Sequence, residues 1–145
     1  MPIDEHAPAV ARASVKIDAP IDDVWRFLSE IDSWPTWNSD VASAKLDGHL
    51  APGSTFRWRA GPARITSTIR NVEAPRRIEW TGRTLGIDAV HVYALESDAD
   101  GGTTVTSAES WDGRIVRLLR GRMQRQLQQS TESGLEQLKR AAERR

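Results

Sequence analysis

The sequence predicts an α+β domain in which a curved, seven-stranded antiparallel sheet packs around one long C-terminal helix, with two short helices between strands one and two. Three observations carry this reading. Residues 41–111 read as consecutive strands whose connecting turns are too short for anything but antiparallel neighbours. From Arg114 onward the apolar period becomes helical and stays so for about 30 residues. Between a first alternating strand and the strand-rich middle lie two short stretches that carry helix-start signals.

Residues 1–10 are polar, include two prolines and show no period, so they are expected to form a flexible lead-in. Residues 11–145 are expected to form a single domain, a length sufficient for a sizeable core. The first strand, 11–17, alternates Ala11, Ala13, Val15 and Ile17 with Arg12, Ser14 and Lys16. Asp18-Ala19-Pro20 ends it. Pro20 suits a helix start, and Asp22 and Asp23 place negative charge at the positive end of the helix dipole. Val24, Phe27, Leu28 and Ile31 recur at helical spacing and form the buried face of this first helix. A second short helix follows, with Ser33 as its cap and Pro35 early in it, so that Trp34 and Trp37 share a face.

The remaining strands are expected at 41–46, 54–60, 63–72, 77–82, 86–96 and 103–111. Turn chemistry separates them at Asp47-Gly48, Pro52-Gly53, Gly61-Pro62, Ala74-Pro75 and Asp100-Gly101-Gly102. In the final helix Val116, Leu119, Met123, Leu127, Leu135, Leu138 and Ala142 fall near one stripe. At 1.5 Å per residue such a helix spans roughly 40 Å, so it must cross the sheet diagonally.

Composition removes several function classes. Lysine plus arginine and aspartate plus glutamate each number 20, so no global field attracts nucleic acid or an anionic membrane. The absence of cysteine excludes disulfides, thiolate zinc sites and cysteine nucleophiles, and suits a cytoplasmic location. There is no apolar stretch of signal-peptide or membrane-span length. His6 lies in the lead-in and His49 in a loop, so no triad, metal cluster or cofactor site is expected. No Gly-rich phosphate loop is present, and no exposed basic sheet with stacking aromatics points to nucleic acid. Six tryptophans stand beside two phenylalanines and one tyrosine, which suits either a core or the walls of a cavity.

Strand alternation selects the inward face. Phe56, Trp58 and Ala60 oppose Arg57 and Arg59, and a two-residue turn at Gly61-Pro62 sets Trp58 against Ile65, with Ser67 and Ile69 continuing. Ile78 and Trp80 extend that face. In 86–96 two sets compete, Val90 with Val92 and His91 with Tyr93 and Leu95. A hairpin centred near Asp100 favours the second set, because it opposes Leu95 to Val105, Tyr93 to Ser107 and His91 to Glu109 on a face ending at Trp111. A slip of one residue would reverse all of it.

That register places an imidazole beside a carboxylate on the inner wall, with Tyr93 near. His91, Glu109 and Tyr93 are therefore the candidate acid-base residues. The same pair also serves as a mutually satisfied cross-strand contact that fixes register. At the start of the last helix Arg114, Arg117, Arg120, Arg122 and Arg125 form an acid-free run at the dipole end that disfavours cations. It is either a solvated face or a place for transient contact with a membrane or an acidic partner.

Several sequence words occur in a recognisable order: Ile17-Asp18-Ala19-Pro20 before Val24-Trp25, then Asp32-Ser33-Trp34-Pro35-Thr36-Trp37-Asn38, then Gly101-Gly102-Thr103 with Val105, and Glu109-Ser110-Trp111-Asp112-Gly113 before the last helix. In this the chain resembles, over nearly its whole length from Ala11, the SRPBCC superfamily of START-type lipid-transfer domains, birch-pollen-allergen folds and polyketide cyclases. The resemblance implies a helix-grip fold with a cavity for a hydrophobic small molecule between sheet and long helix. It transfers no shared catalytic motif and no substrate. The expected ligand wall is Trp34, Trp37, Phe56, Trp58, Ile69, Trp80, His91, Tyr93, Glu109 and Trp111, completed by Met123 and Leu127 from the helix, while Leu138 is packing. Three functions fit: a carrier or sensor of a lipid, polyketide or other apolar metabolite, a cyclase/dehydratase-type enzyme, and a protein-interaction module whose cavity is only core.

Overall fold

The computed structural model describes residues 3–144. Strands β1 (Ala9–Ile17), β2 (Val41–Leu46), β3 (Thr55–Ala60), β4 (Ala63–Glu73), β5 (Arg77–Thr84), β6 (Ile87–Ser97) and β7 (Thr103–Asp112) form one antiparallel sheet in the order β1-β7-β6-β5-β4-β3-β2. Strands one and two thus lie at opposite edges, and their connection crosses the concave face. It does so as helix α1 (Ile21–Ser29) and a 3-10 helix (Ile31–Thr36). Helices α2 (Arg114–Leu118) and α3 (Arg120–Glu143) close the fold, a helix-grip arrangement. Strand bounds after β1 lie within two residues of those the turn chemistry predicts.

Three local expectations are corrected. Strand β1 begins at Ala9 rather than Ala11, because Ala9 and Val10 pair with Trp111 and Ser110. Before this strand Ile3 is packed rather than frayed, at 5% exposed, and the Asp4 N–H donates to Ser110 Oγ at 3.1 Å, while the side chains of Asp4, Glu5 and His6 are exposed. Gln124 on α3 clamps Val10, accepting from its N–H at 2.9 Å and donating to its carbonyl at 2.6 Å. Ser33 caps nothing. The 3-10 helix starts three residues earlier than a Ser33 cap implies, at Ile31, and carries Pro35 inside it. The last helix is not continuous either, because Leu119 departs from helical geometry (φ −111°, ψ 40°). Like charges at Arg117, Arg120 and Arg122 and the low propensity of Gly121 make this the weakest helical stretch of the segment.

The inner face of the sheet is graded in size. At one end Ile17, Phe56, Ile69, Ile78, Leu95 and Val105 are buried against Val24, Leu28 and Ile31 before α1's end and beyond it, and against Leu135 and Leu138 of α3. Toward the other end of β3, β4, β5 and β6 the inward positions include the small residues Ala60, Ala63, Gly82 and Ala89 beside Ile65, Thr84 and Ile87. Small side chains there cannot reach the helices, so space remains. A bulge between Ile69 and Asn71 in β4 bends the strand and adds to the sheet's curvature.

Gly113, which joins β7 to α2, has φ 130°, and a Cβ there would overlap the Gly86 carbonyl oxygen in the β5–β6 turn. Gly113→Ala is expected to lower the unfolding free energy by about 2–3 kcal/mol through backbone strain and this overlap. Urea unfolding followed by tryptophan emission checks it, and a loss within about 0.5 kcal/mol, the range of an ordinary surface change, would refute the close packing of that turn.

Candidate functional site

The space left by the small residues is a cavity of about 220 Å³ between the inner face of β3 to β7, the 3-10 helix and α3. Five indoles, Trp34, Trp37, Trp58, Trp80 and Trp111, contribute to its wall. Trp34 meets Trp58 edge-on at 5.8 Å and Trp80 at 5.3 Å, measured between ring centroids. Trp80 continues to His91 at 4.8 Å, and His91 stacks on Tyr93 at 4.6 Å. Hydrogen bonds hold three of the indoles in place: Trp34 Nε1 donates to the Leu28 carbonyl (3.1 Å), Trp58 Nε1 to Ser67 Oγ (3.0 Å) and Trp111 Nε1 to Glu109 Oε2 (2.8 Å). Fixed rings make a preformed wall, which lowers the ordering cost of binding.

The hairpin register pairs Leu95 with Val105, Tyr93 with Ser107 and His91 with Glu109. All three candidate acid-base residues therefore line the cavity. His91 Nε2 lies 2.9 Å from Ser107 Oγ and its Nδ1 lies 3.3 Å from Glu109 Oε1. Burial holds the His91 imidazole below its ordinary pKa, outweighing the opposing pull of the Glu109 carboxylate. Burial, reinforced by the Glu109 charge, raises the Tyr93 phenol above its ordinary pKa. At neutral pH the site thus holds a neutral imidazole and a protonated phenol.

Neutral His91 has a consequence for acid stability. Unfolding returns its pKa upward toward 6.5, so the unfolded state binds more protons as pH falls. Stability is complete above pH 6.5 and is lost as pH drops through the folded value. His91→Gln is expected to flatten this part of the pH–stability curve, measured by thermal melts between about pH 7.5 and 5. An unchanged slope would show that His91 is not held neutral by burial.

The structure separates the expected wall residues into two groups. Trp34, Trp37, Trp58, Trp80, His91, Tyr93, Glu109 and Trp111 line the cavity, whereas Phe56, Ile69, Met123 and Leu127 do not. Phe56 and Ile69 fill the large-residue end of the core. Met123 and Leu127 pack with Ala9, Ala11 and Val116 beneath α3, because the apolar stripe of the helix is drawn into the core. The helix instead offers the cavity Gln126, Ser130 and Gly134, a row at i, i+4, i+8. At Gly134 an added Cβ would stand 3.4 Å from the Tyr93 hydroxyl, so the phenol reaches across to the helix. This small and polar row, together with inward Ala63, Gly82 and Ala89, is what sequence reasoning missed, whereas Ala60 was placed on the inward face. The available signal was the spacing of Gln126, Ser130 and Gly134 beside the apolar stripe.

A polar strap ties the lip of the cavity to α3. The Ser39 N–H donates to Gln137 Oε1 (2.7 Å), Ser133 Oγ donates to Asp40 Oδ2 (3.0 Å), and Gln137 Nε2 reaches Asn38 Oδ1 (3.3 Å). Among the described residues no cluster of histidine and carboxylate side chains could hold a metal ion. No helix among them is long and apolar enough to cross a membrane.

Comparison with solved structures places this geometry among known folds. A hypothetical protein from Helicobacter pylori superposes with TM-score 0.84 at 12% identity, covering 95% of this chain and 90% of that one. A START superfamily protein from Mycobacterium smegmatis gives TM-score 0.66 at 14% identity, covering 89% and 98% of the two chains. A protein from the dynemicin biosynthetic locus gives TM-score 0.72 at 22% identity, with 90% of this chain matching 46% of that longer one. No curated protein sequence matches the chain. The family described as polyketide cyclase / dehydrase and lipid transport matches residues 8–143, and with the fold and its cavity in agreement, the chain belongs to that family.

Proposed function

We propose that the protein binds one compact, ring-bearing apolar molecule in the tryptophan-walled cavity and acts as its carrier or sensor. The observation that carries this is the wall itself: five indoles around a space that the sheet's small residues leave open. At about 220 Å³ the space falls below the roughly 300–1,000 Å³ common for ligand pockets, which favours a small ring system over a long acyl chain. The family description, which joins cyclisation of polyketides to lipid transport, is compatible with such a ligand.

An apolar fluorescent probe is expected to bind the folded protein at about one per chain and to quench tryptophan emission. Ala89→Phe, which extends a ring from β6 into the cavity, is expected to weaken that binding by about 10–100-fold through loss of space. Binding that appears only in mild denaturant would instead mark the cavity as imperfect core and sink the proposal.

A second reading, an enzyme of the cyclase/dehydratase type, is favoured by one observation. His91, Ser107, Tyr93 and Glu109 form a contiguous polar group, and three of its members line the cavity. Such a group can polarise a carbonyl or relay a proton.

A further inference from the structure

Among the described residues the cavity is lined by carboxylates and by no lysine or arginine: Glu109 lies in its wall and Asp40 at its lip. Glu109 is not neutralised from within. Its side chain is 15% exposed, its Oε2 accepts from the uncharged Trp111 indole, and its Oε1 faces an imidazole that burial holds neutral. A carboxylate has about four lone-pair directions, so these two neighbours leave acceptor capacity unused on a residue of the cavity wall. An anionic ligand would enter this wall without a counter-ion. It would lose its hydration and meet a like charge in a partly desolvated site.

The aromatic wall points the same way. Indole and phenol faces carry negative potential and attract a cation, tryptophan most strongly. Trp80 on β5 and Tyr93 on β6 stand 5.7 Å apart, tilted by 40°; Tyr93 is on the strand next to that of Glu109, and Trp111 donates to Glu109 through its N–H edge. A cation bound in this cavity would therefore lie among indole and phenol rings in a space that Glu109 also lines.

We propose that the natural ligand is a protonated amine: a ring system whose basic nitrogen ion-pairs with Glu109 while its rings lie among Trp34, Trp58 and Trp80. The inference rests on the cavity-binding reading above and narrows it, setting carboxylic acids, acyl phosphates and free fatty acids aside. Asp40, fixed by Ser133 and Gln137 at the lip, adds a second negative charge along the path of entry.

Three probes of one skeleton test it: 2-naphthylmethylamine, 2-naphthylmethanol and 2-naphthoate, titrated calorimetrically into the wild-type protein at pH 7.5. The amine is expected to bind about tenfold more tightly than the alcohol, and about 100-fold more tightly than the carboxylate. In Glu109→Gln the ratio of amine to alcohol affinity is expected to fall to about one, because the ion pair is gone. A carboxylate that binds as well as the amine, or an amine no tighter than the alcohol, overturns the inference while leaving the cavity reading in place. Failure of all three probes to bind overturns both. The wild-type comparison decides even where Glu109→Gln does not fold.

Discussion

Replacing Trp80 by alanine is expected to lower the unfolding free energy by about 3–5 kcal/mol, the range for deleting a buried large aromatic side chain. Trp80 sits on β5, the fourth of seven strands, and is 4% exposed. Its ring joins both halves of the interior, meeting Phe56 at 5.6 Å on the core side, Trp34 at 5.3 Å on the 3-10 helix, and His91 at 4.8 Å toward the polar group. Truncation removes these contacts together, and neighbours anchored by their own hydrogen bonds cannot collapse fully into the void. The same void should admit larger probes, so stability falls while the size of ligand accepted rises. Equilibrium urea unfolding measures the first and a probe series of increasing ring number the second. A loss under about 1 kcal/mol would show that the ring is not the centre of the packing described.

The fold was legible because two physical periods alternate cleanly along the chain. Alternation places Phe56 and Trp58 inward on β3, and the helical stripe at Leu127, Leu135 and Leu138 marks the buried face of α3. The register of β6 on β7 was legible for a narrower reason: the Asp100-Gly101-Gly102 turn, with Gly101 at φ 90°, fixes the hairpin centre and hence every pair along it. The start of β1 was not. Pro8 hides an alternation that Ala9 continues, since proline is tolerated immediately before a strand without ending its pattern. The cavity was only half legible, because hydrophobic pattern reports where side chains fill space. A cavity is where they do not. Met123 and Leu127 were expected on its wall for being apolar, and for that same reason they are buried in packing with Ala9 and Val116. Gln126, Ser130 and Gly134 reach the cavity because they are too short or too polar to be drawn into the core.

A ligand recovered with the native protein and incubated with it at length is expected to return chemically unchanged, as a carrier requires. The polar group is already occupied by contacts within the protein. Both ring nitrogens of His91 already have neighbours, Ser107 Oγ at 2.9 Å and Glu109 Oε1 at 3.3 Å, and the Tyr93 hydroxyl has Ser107 as a hydrogen-bond partner. Moving a proton to a ligand therefore requires one of these contacts to break first, with a group left unsatisfied in a buried site at about 1–3 kcal/mol. Chemical change in the recovered ligand overturns the carrier reading and makes a sharper demand on the same residues. His91→Gln and Tyr93→Phe should then each lower kcat by about 10²–10⁴-fold, the span of a lost acid-base partner, with KM little changed. A purely structural pair behaves otherwise: its substitutions lower stability first, and any loss of binding tracks that loss across temperature. Measuring kcat, KM and the melting temperature on the same variants separates the two, because only a proton-transfer group lowers turnover at temperatures where the variant remains fully folded.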